Sequence, residues 1–302
     1  MKFAYSDNKY IRMKRRSMNL RNEKPVRLIV SDVDGTLVNT QKSITPETVR
    51  AIKIAMDKGI RVAIASGRAW NEMEDVIQKL PELRYFICTN GAVVMDKMKN
   101  KQLHREGFNK GEALKLLDNL LEYNVYTEAY MGASIFGTKA SLPRVDYYIH
   151  EHIRPFLLQT RTFVNDLRDH LEQFDTGPEK LQIFYGDEDM KQRVMKDLTA
   201  AKDYYDLLQS SEGNLEFVLP HTTKGSAVKA LGETWGFTSD EIMTIGDSHN
   251  DLSMLKYAGI SVAMGNADSL VKETANYITN DNDTNGLANA IYAVLDRNEQ
   301  LG

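Results

Sequence analysis

The sequence predicts an α/β protein, a doubly wound, Rossmann-like parallel sheet with an α+β domain inserted into it. Three observations predict this. Short β-branched and apolar runs, each ending in a small or polar residue, recur in the first and last thirds of the chain. Amphipathic stretches of helical period lie between those runs. From about residue 105 to 217 the rhythm changes to alternating, hairpin-like segments.

The first run is Val26-Arg27-Leu28-Ile29-Val30, leading into Ser31-Asp32. Arg61-Val62-Ala63-Ile64-Ala65 leads into Ser66-Gly67, and Tyr85-Phe86-Ile87-Cys88 into Thr89-Asn90-Gly91. Two more follow downstream, Ile242-Met243-Thr244-Ile245 before Gly246-Asp247 and Ile260-Ser261-Val262-Ala263 before Met264-Gly265. Unbroken apolar runs of this length suit strands covered on both faces, as in a parallel sheet. A helix is expected to begin at Thr45-Pro46-Glu47, with Thr45 as N-cap and proline at its first position. Its apolar stripe reads Val49, Ile52, Ala55, Met56, and Lys58-Gly59 ends it. Further helices are expected over residues 226–235 and 252–258.

The mid-chain segment opens with a helix over 110–122 and a hairpin whose strands, 125–130 and 133–136, turn at Met131-Gly132. Strands over 181–185 and 215–218 and a helix over 187–200 complete it. The expected organisation is therefore a basic extension over 1–24, a core from 25–104 and 218–302, and an inserted domain over 105–217.

Composition narrows the function. A hydrophobic fraction of 42% and a charged fraction of 26% are those of an ordinary globular protein. The net charge of −4 gives no general basis for nucleic-acid binding. Cys88 is the only cysteine, which rules out an intrachain disulfide and fits a reducing, cytoplasmic setting. It sits in an apolar run and reads as a buried strand residue. No stretch approaches the roughly 18 apolar residues of a membrane span. The first 24 residues carry eight basic side chains, from Lys2 to Lys24, against Asp7 and Glu23. They lack the apolar core of an export signal and read as a poorly ordered tail, or as sequence ahead of a true start at Met13 or Met18.

The chemistry gathers where the runs end. In open α/β sheets ligands bind beyond the carboxyl ends of the strands. The first run delivers Asp32-Val33-Asp34-Gly35-Thr36, and two carboxylates at i and i+2 of an extended segment share one side. Close carboxylates repel unless a cation or shared proton compensates, and a hard cation such as Mg²⁺ answers that need. Alone, such a pair is better explained by a solvated turn. The second cluster, Gly246-Asp247-Ser248-His249-Asn250-Asp251, adds Asp247 and Asp251 at another strand end, with Asn250 as a donor to a phosphate oxygen. Ser66 offers a hydroxyl, and the Ser66 and Gly67 amides, expected at the head of a helix, offer anion donors. Lys224, in Thr223-Lys224-Gly225-Ser226, offers a point charge for phosphate. His150 and His152, two apart on an expected helix, do not share a face and make a poor zinc pair. Tyr147, Tyr148, Tyr204 and Tyr205 read as core and surface of the inserted domain, and His249 as a loop residue.

In this order the motifs resemble those of the haloacid dehalogenase superfamily of phosphohydrolases, over residues 26–90 and 224–286. The large insertion is similar to the α/β (type C2) cap of its Cof-type branch. Asp32-Val33-Asp34-Gly35-Thr36-Leu37 matches the first family motif, Ser66 the second, Lys224 the third and Gly246–Asp251 the fourth. Thr89-Asn90-Gly91-Ala92, Val262-Ala263-Met264-Gly265-Asn266-Ala267 and Asn285-Gly286 resemble supplementary signatures of the branch. The basic extension is the main departure.

The resemblance implies a Mg²⁺-dependent phosphomonoesterase passing through an aspartyl-phosphate. Asp32 is then the nucleophile and Asp34 the acid/base. The metal is held by Asp32, the Asp34 backbone carbonyl and Asp247, with Asp251 supporting it directly or through water. Val33, Ser66, Gly67, Lys224 and Asn250 hold the phosphoryl oxygens. The expected substrates are small phosphorylated metabolites (sugar phosphates, nucleotides or pyridoxal phosphate), met by a segment of the cap near Tyr130-Met131-Gly132. A monomer or homodimer without nucleic-acid or membrane partners is expected. Two rivals remain at this stage: a phosphomutase or phosphotransferase using the same intermediate, and a non-catalytic phosphometabolite-binding protein.

Overall fold

A computed structural model describes residues 20, 23–149, 151, 154–198, 204–209 and 213–301. Most of the basic extension, together with His150 and His152, lies outside the described residues. The chain divides into two compact units, one from Met1–Ile64 and Val228–Gly302, the other from Ala65–Ala227.

The first unit is built on five strands in the order β14-β13-β12-β1-β2. They are β1 (Leu28–Asp32), β2 (Arg61–Ala65), β12 (Ile242–Gly246), β13 (Ile260–Ala263) and β14 (Tyr277–Ile278). The pairs β1–β12, β12–β13 and β13–β14 are parallel. Leu28, Ile29, Val30, Ile242, Met243, Ile245, Ile260 and Val262 are all buried, as the unbroken apolar runs require. Helix α1 (Pro46–Asp57) begins as expected, with the Thr45 hydroxyl accepting from the Thr48 amide. Its buried face is Thr48, Ala51, Ile52 and Ala55, so the stripe is rotated from the expected one and leaves Val49 and Met56 half-buried. It packs against α11 (Gly286–Leu301), which buries Leu287, Ala290, Ile291, Val294 and Leu295. Helices α9 (Leu252–Tyr257) and α10 (Ser269–Thr274) belong to this unit, and α8 (Lys224–Glu233) begins in the second unit and ends in the first. Ser31 pairs with Ile245, which sets Asp32 level with Gly246 at the same carboxyl edge.

The second unit holds two groups of strands. β3 (Tyr85–Cys88), β4 (Val93–Asp96) and β5 (Lys101–Arg105) form an antiparallel meander with an irregularity between Val94 and Met95. A six-stranded sheet has the order β10-β11-β9-β6-β7-β8. Its strands are β6 (Tyr126–Met131), β7 (Ser134–Thr138), β8 (Arg161–Val164), β9 (Lys180–Phe184), β10 (Asp206–Leu208) and β11 (Asn214–Val218). Only β7–β8 is parallel among its described pairs. The hairpin turns one residue later than expected. Met131 pairs with Ser134, leaving Gly132-Ala133 as the turn, with Gly132 at φ 65°.

Helices α2 (Glu74–Lys79), α3 (Lys110–Leu121), α4 (Val145–Tyr148), α5 (Arg154–Thr160), α6 (Leu167–Glu172) and α7 (Glu188–Leu198) belong to the same unit. Because side chains alternate across a strand, the six-stranded sheet has two chemically distinct faces. On one, Ala129, Leu181, Ile183, Leu215 and Phe217 join α3, α6 and α7 in a continuous apolar core. On the other, the strands present Glu128, Tyr130, Lys180, Gln182 and Glu216, all buried.

Candidate active site

Three carboxylates from the first unit come together. One oxygen each from Asp32, Asp247 and Asp251 lies within 4.8 Å of the others. The chain positions them by ordinary means: β1 ends at Asp32, β12 ends at Gly246, and parallel pairing brings the two ends level. Asp32 is 5% exposed and Asp251 fully buried. Asp251 is turned inward by its own loop, where its Oδ2 accepts from the Asp247 and Ser248 amides, both at 2.9 Å. Asp247 is oriented by hydroxyls. Thr36 Oγ1 donates to its Oδ1 at 2.7 Å and Ser248 Oγ to its Oδ2 at 3.2 Å.

Gly35 explains how the two motifs approach so closely. Its φ is 86°, and a Cβ there would stand 2.3 Å from Asp247 Oδ2. Any side chain would both strain the backbone and displace the carboxylate. The turn after β1 is closed by the Thr36 and Val38 amides donating to the Val33 carbonyl. Asn266 Nδ2 braces it from outside by donating to the Gly35 carbonyl at 2.9 Å. That gives one residue of the 262–267 signature a physical task.

Asp34 is not one of the three clustered carboxylates. Its side chain is 43% exposed, with the Lys42 ammonium 3.4 Å from Oδ1. Asn250 is exposed on the same loop as Asp251, and Val33 is fully buried. His249 is exposed at the start of a short 3₁₀ turn, His249–Asp251, and pairs with Asp268 at 3.0 Å.

The cluster fits a hard divalent cation. The donors are all carboxylate oxygens, two of the three side chains are buried, and their mutual repulsion is relieved by a positive charge. No imidazole or thiolate belongs to the group, so the donor set suits a hard divalent cation rather than a soft metal.

Ser66, Gly67 and Lys224 belong to the second unit. Ser66 is buried, and its Oγ accepts from the Arg68 amide at 3.1 Å, which orients the hydroxyl. The expectation that the Ser66 and Gly67 amides head a helix is not met. They lie in a bend ahead of a short 3₁₀ turn, Trp70–Glu72, and the Ser66 amide donates to the Ile87 carbonyl at 2.8 Å. The hydroxyl, not that amide, is what Ser66 has to offer. Lys224 begins α8 and is fully buried, unlike an ordinary surface lysine.

The remaining candidates recede. Cys88 is buried, and burial pushes its thiol well above the ordinary range, so it is chemically quiet. Tyr148 and Tyr205 are buried and Tyr147 and Tyr204 exposed, dividing between core and surface. Tyr130 and Met131 of the hairpin are themselves buried, and Gly132 gives its amide to Glu179.

A group that sequence reasoning missed lies on the polar face of the six-stranded sheet. Arg161 pairs with Glu72 and, at 2.8 Å, with Glu128, while Lys180 pairs with Glu216 at 2.9 Å. Lys180 Nζ also lies 3.9 Å above the Tyr130 ring. The signal was present as charged or amide residues alternating with apolar ones along β9 and β11. Charged positions at that period ordinarily face solvent, so the pattern alone reads as an exposed face.

Comparison with known proteins supports the resemblance carried by the motifs. A family model described as haloacid dehalogenase-like hydrolase matches residues 29–291. The chain is 30% identical over 278 residues to 5-amino-6-(5-phospho-D-ribitylamino)uracil phosphatase YcsE of Bacillus subtilis (strain 168), covering 90% of this chain and 96% of that one. It is 26% identical over 288 residues to pyridoxal phosphate phosphatase YbhA of Escherichia coli (strain K12), covering 89% and 98%. A haloacid dehalogenase-like hydrolase from Bacteroides thetaiotaomicron superposes with a TM-score of 0.77 at 29% identity, covering 89% of this chain and 99% of that chain. With its ordered motifs, its carboxylate cluster at the strand ends and a match across nearly its whole length, the chain belongs to the haloacid dehalogenase-like hydrolases, among relatives named as phosphatases.

Proposed function

We propose that the protein hydrolyses phosphomonoesters of small metabolites, with Asp32 as nucleophile. The observation that carries this reading is the convergence of Asp32, Asp247 and Asp251 within 4.8 Å at the carboxyl ends of β1 and β12. In the proposed reaction an Asp32 carboxylate oxygen attacks phosphorus, the bond to the leaving oxygen breaks, and Asp34 supplies the proton the alkoxide needs. Asp34, now a carboxylate, takes a proton from water as that water attacks the acyl phosphate, which releases phosphate and restores Asp32. Dividing hydrolysis into two displacements lowers each barrier. An acid/base residue in this position typically contributes about 10²–10⁴-fold.

Asp32, Asp247, the Asp34 carbonyl and Asp251, directly or through water, would hold Mg²⁺, which supplies charge neutralisation for the phosphoryl group when bound. Val33, Ser66, Gly67, Lys224 and Asn250 are assigned the phosphoryl oxygens on the strength of their motifs. Phosphoryl transfer asks chiefly for alignment and neutralisation of equatorial charge, and hydroxyl, amide and ammonium donors provide both. The segment over 105–217 is proposed as a cap that excludes water and sets specificity. The relatives named above act, by name, on a ribitylaminouracil phosphate and on pyridoxal phosphate. Both are small phosphorylated metabolites, the class proposed for this chain.

Phosphate release from a panel of phosphomonoesters, with Mg²⁺ and with EDTA, tests the reading. Asp32→Asn is expected to abolish release while leaving the circular dichroism spectrum unchanged. Near-wild-type release by that variant would end the nucleophile assignment.

A further inference from the structure

Thr89-Asn90-Gly91 resembles a family signature but has no part in the reaction as proposed. We infer that this turn is a positioning element that sets the distance between the Ser66–Gly67 segment and the Thr223–Lys224 segment, with Asn90 as the side chain that locks it. The inference rests on the phosphoryl-anchoring roles proposed for Ser66 and Lys224.

The turn is left-handed through three successive residues, with φ of 51° at Thr89, 54° at Asn90 and 109° at Gly91. Two consecutive non-glycine residues in that region, one of them β-branched, are uncommon and persist only where the surroundings over-determine them. Here they are fixed from two sides. Towards the first segment, the Thr89 amide donates to the Arg68 carbonyl at 2.8 Å and the Asn90 amide to the Ser66 carbonyl at 3.0 Å. The Ser66 amide returns a bond to Ile87 at 2.8 Å, so residues 66–68 and 87–90 are tied by three backbone bonds. Towards the second segment, Gly91 lies directly on the Thr223–Lys224 peptide. A Cβ at Gly91 would stand 2.1 Å from the Thr223 carbonyl oxygen and 3.1 Å from the Lys224 nitrogen. Both anchor segments therefore take their spacing from one three-residue turn.

Asn90 is buried and its side chain lies flat against Gly67. Its Oδ1 and Nδ2 are 3.2 and 3.4 Å from where a Gly67 Cβ would be. Its Nδ2 also donates, at 3.5 Å, to Glu216 Oε2, and Glu216 Oε1 accepts from Lys180 Nζ at 2.9 Å. The amide thus ties the turn to the polar face of the six-stranded sheet. Asn90 touches no reacting atom in this account and acts through Ser66, Gly67 and Lys224.

Gly91→Ala is the obvious variant, but its clash with a backbone carbonyl threatens folding. Asn90→Gly is the deciding one, because glycine accepts the left-handed backbone while the side chain is removed. Expected is a folded enzyme whose kcat falls about tenfold or more, since displacements of an ångström carry costs of that order. KM for a small phosphomonoester should move less, and inhibition by orthovanadate should weaken in step with kcat, a split that a loss of stability alone does not produce. If Ser66→Ala and Lys224→Met lose activity while Asn90→Gly keeps kcat and orthovanadate inhibition within about twofold, the positioning role is overturned and the anchors stand. If Ser66→Ala and Lys224→Met both turn over like the wild type, the anchor roles fall and the inference falls with them.

Discussion

Both units bury carboxylates, in different arrangements. In the second, Glu72 and Glu128 meet Arg161, and Glu216 meets Lys180. In the first, Asp32, Asp247 and Asp251 meet one another, and the hydroxyls and amides of Thr36, Ser248 and the 246–248 loop orient Asp247 and Asp251. Burying a charge costs several kcal/mol unless an opposite charge and hydrogen bonds compensate. The sheet of the second unit carries its counter-charges on its own strands, so its ion pairs hold structure together. The cluster of the first unit gathers like charges at a strand edge, an arrangement that gains most from an arriving cation.

The largest effect that separates the two regions should come from Arg161. Replacing it by methionine keeps the aliphatic bulk but strands Glu72 and Glu128, both buried. Removing one partner of such a group typically costs about 3–5 kcal/mol. Urea unfolding of Arg161→Met is expected to show a loss of that order, with the response to Mg²⁺ unchanged. A variant as stable as the wild type would show that the pairs on the sheet are dispensable.

The carboxylate cluster should behave in the reverse sense. Ligand that binds only the folded state stabilises it by about 2.7 kcal/mol at a hundredfold excess over Kd. Mg²⁺ is therefore expected to raise the thermal midpoint of the wild type and EDTA to reverse the gain, whereas Asp247→Asn should lose most of the response. An undiminished Mg²⁺ shift in Asp247→Asn would place the ion elsewhere and dissolve the contrast between the regions.

Much of this contrast was legible before any coordinates. The unbroken apolar runs located β1, β2, β3, β12 and β13, because strands covered on both faces leave no room for polar alternation. The same runs pointed to Asp32 and Asp247, since the residue after such a strand lies at the ligand-binding edge. The second unit was harder to read. β5 carries the mixed sequence Lys101-Gln102-Leu103-His104-Arg105, whose strand character comes from pairing rather than from pattern. Arg161 and Glu128 are 33 residues apart, and nothing local marks them as partners. The segment Ser66-Gly67 reads as a helix start in the sequence, yet the first regular α-helix after it begins only at Glu74. The intervening turn is held by tertiary bonds to residues 87–90, which local sequence does not encode.

The smallest effect tests whether the second unit's carboxylates act as pairs in a simple electrostatic sense. Asp96 is buried at the end of β4 and receives two bonds from one guanidinium, Arg84 Nε to Oδ1 at 2.8 Å and Nη2 to Oδ2 at 2.7 Å. That side-chain bonding holds the Asp96 carboxyl below the usual aspartate range, against the opposing pull of burial. A carboxylate whose folded value is depressed stabilises the fold at pH values above its unfolded value, and the contribution disappears as pH falls through the folded one. Asp96→Asn should therefore unfold at a lower temperature than the wild type at neutral pH. The gap between the two midpoints should close as pH drops below the ordinary aspartate value, because the wild-type carboxyl then takes up its proton and loses its charge. Comparing the two proteins at each pH cancels the contributions of every group they share. A gap that stays constant down to the acid limit would mean that shape rather than charge secures Asp96, and the ion pairs of this unit would then differ less from the first unit's carboxylates than their partners imply.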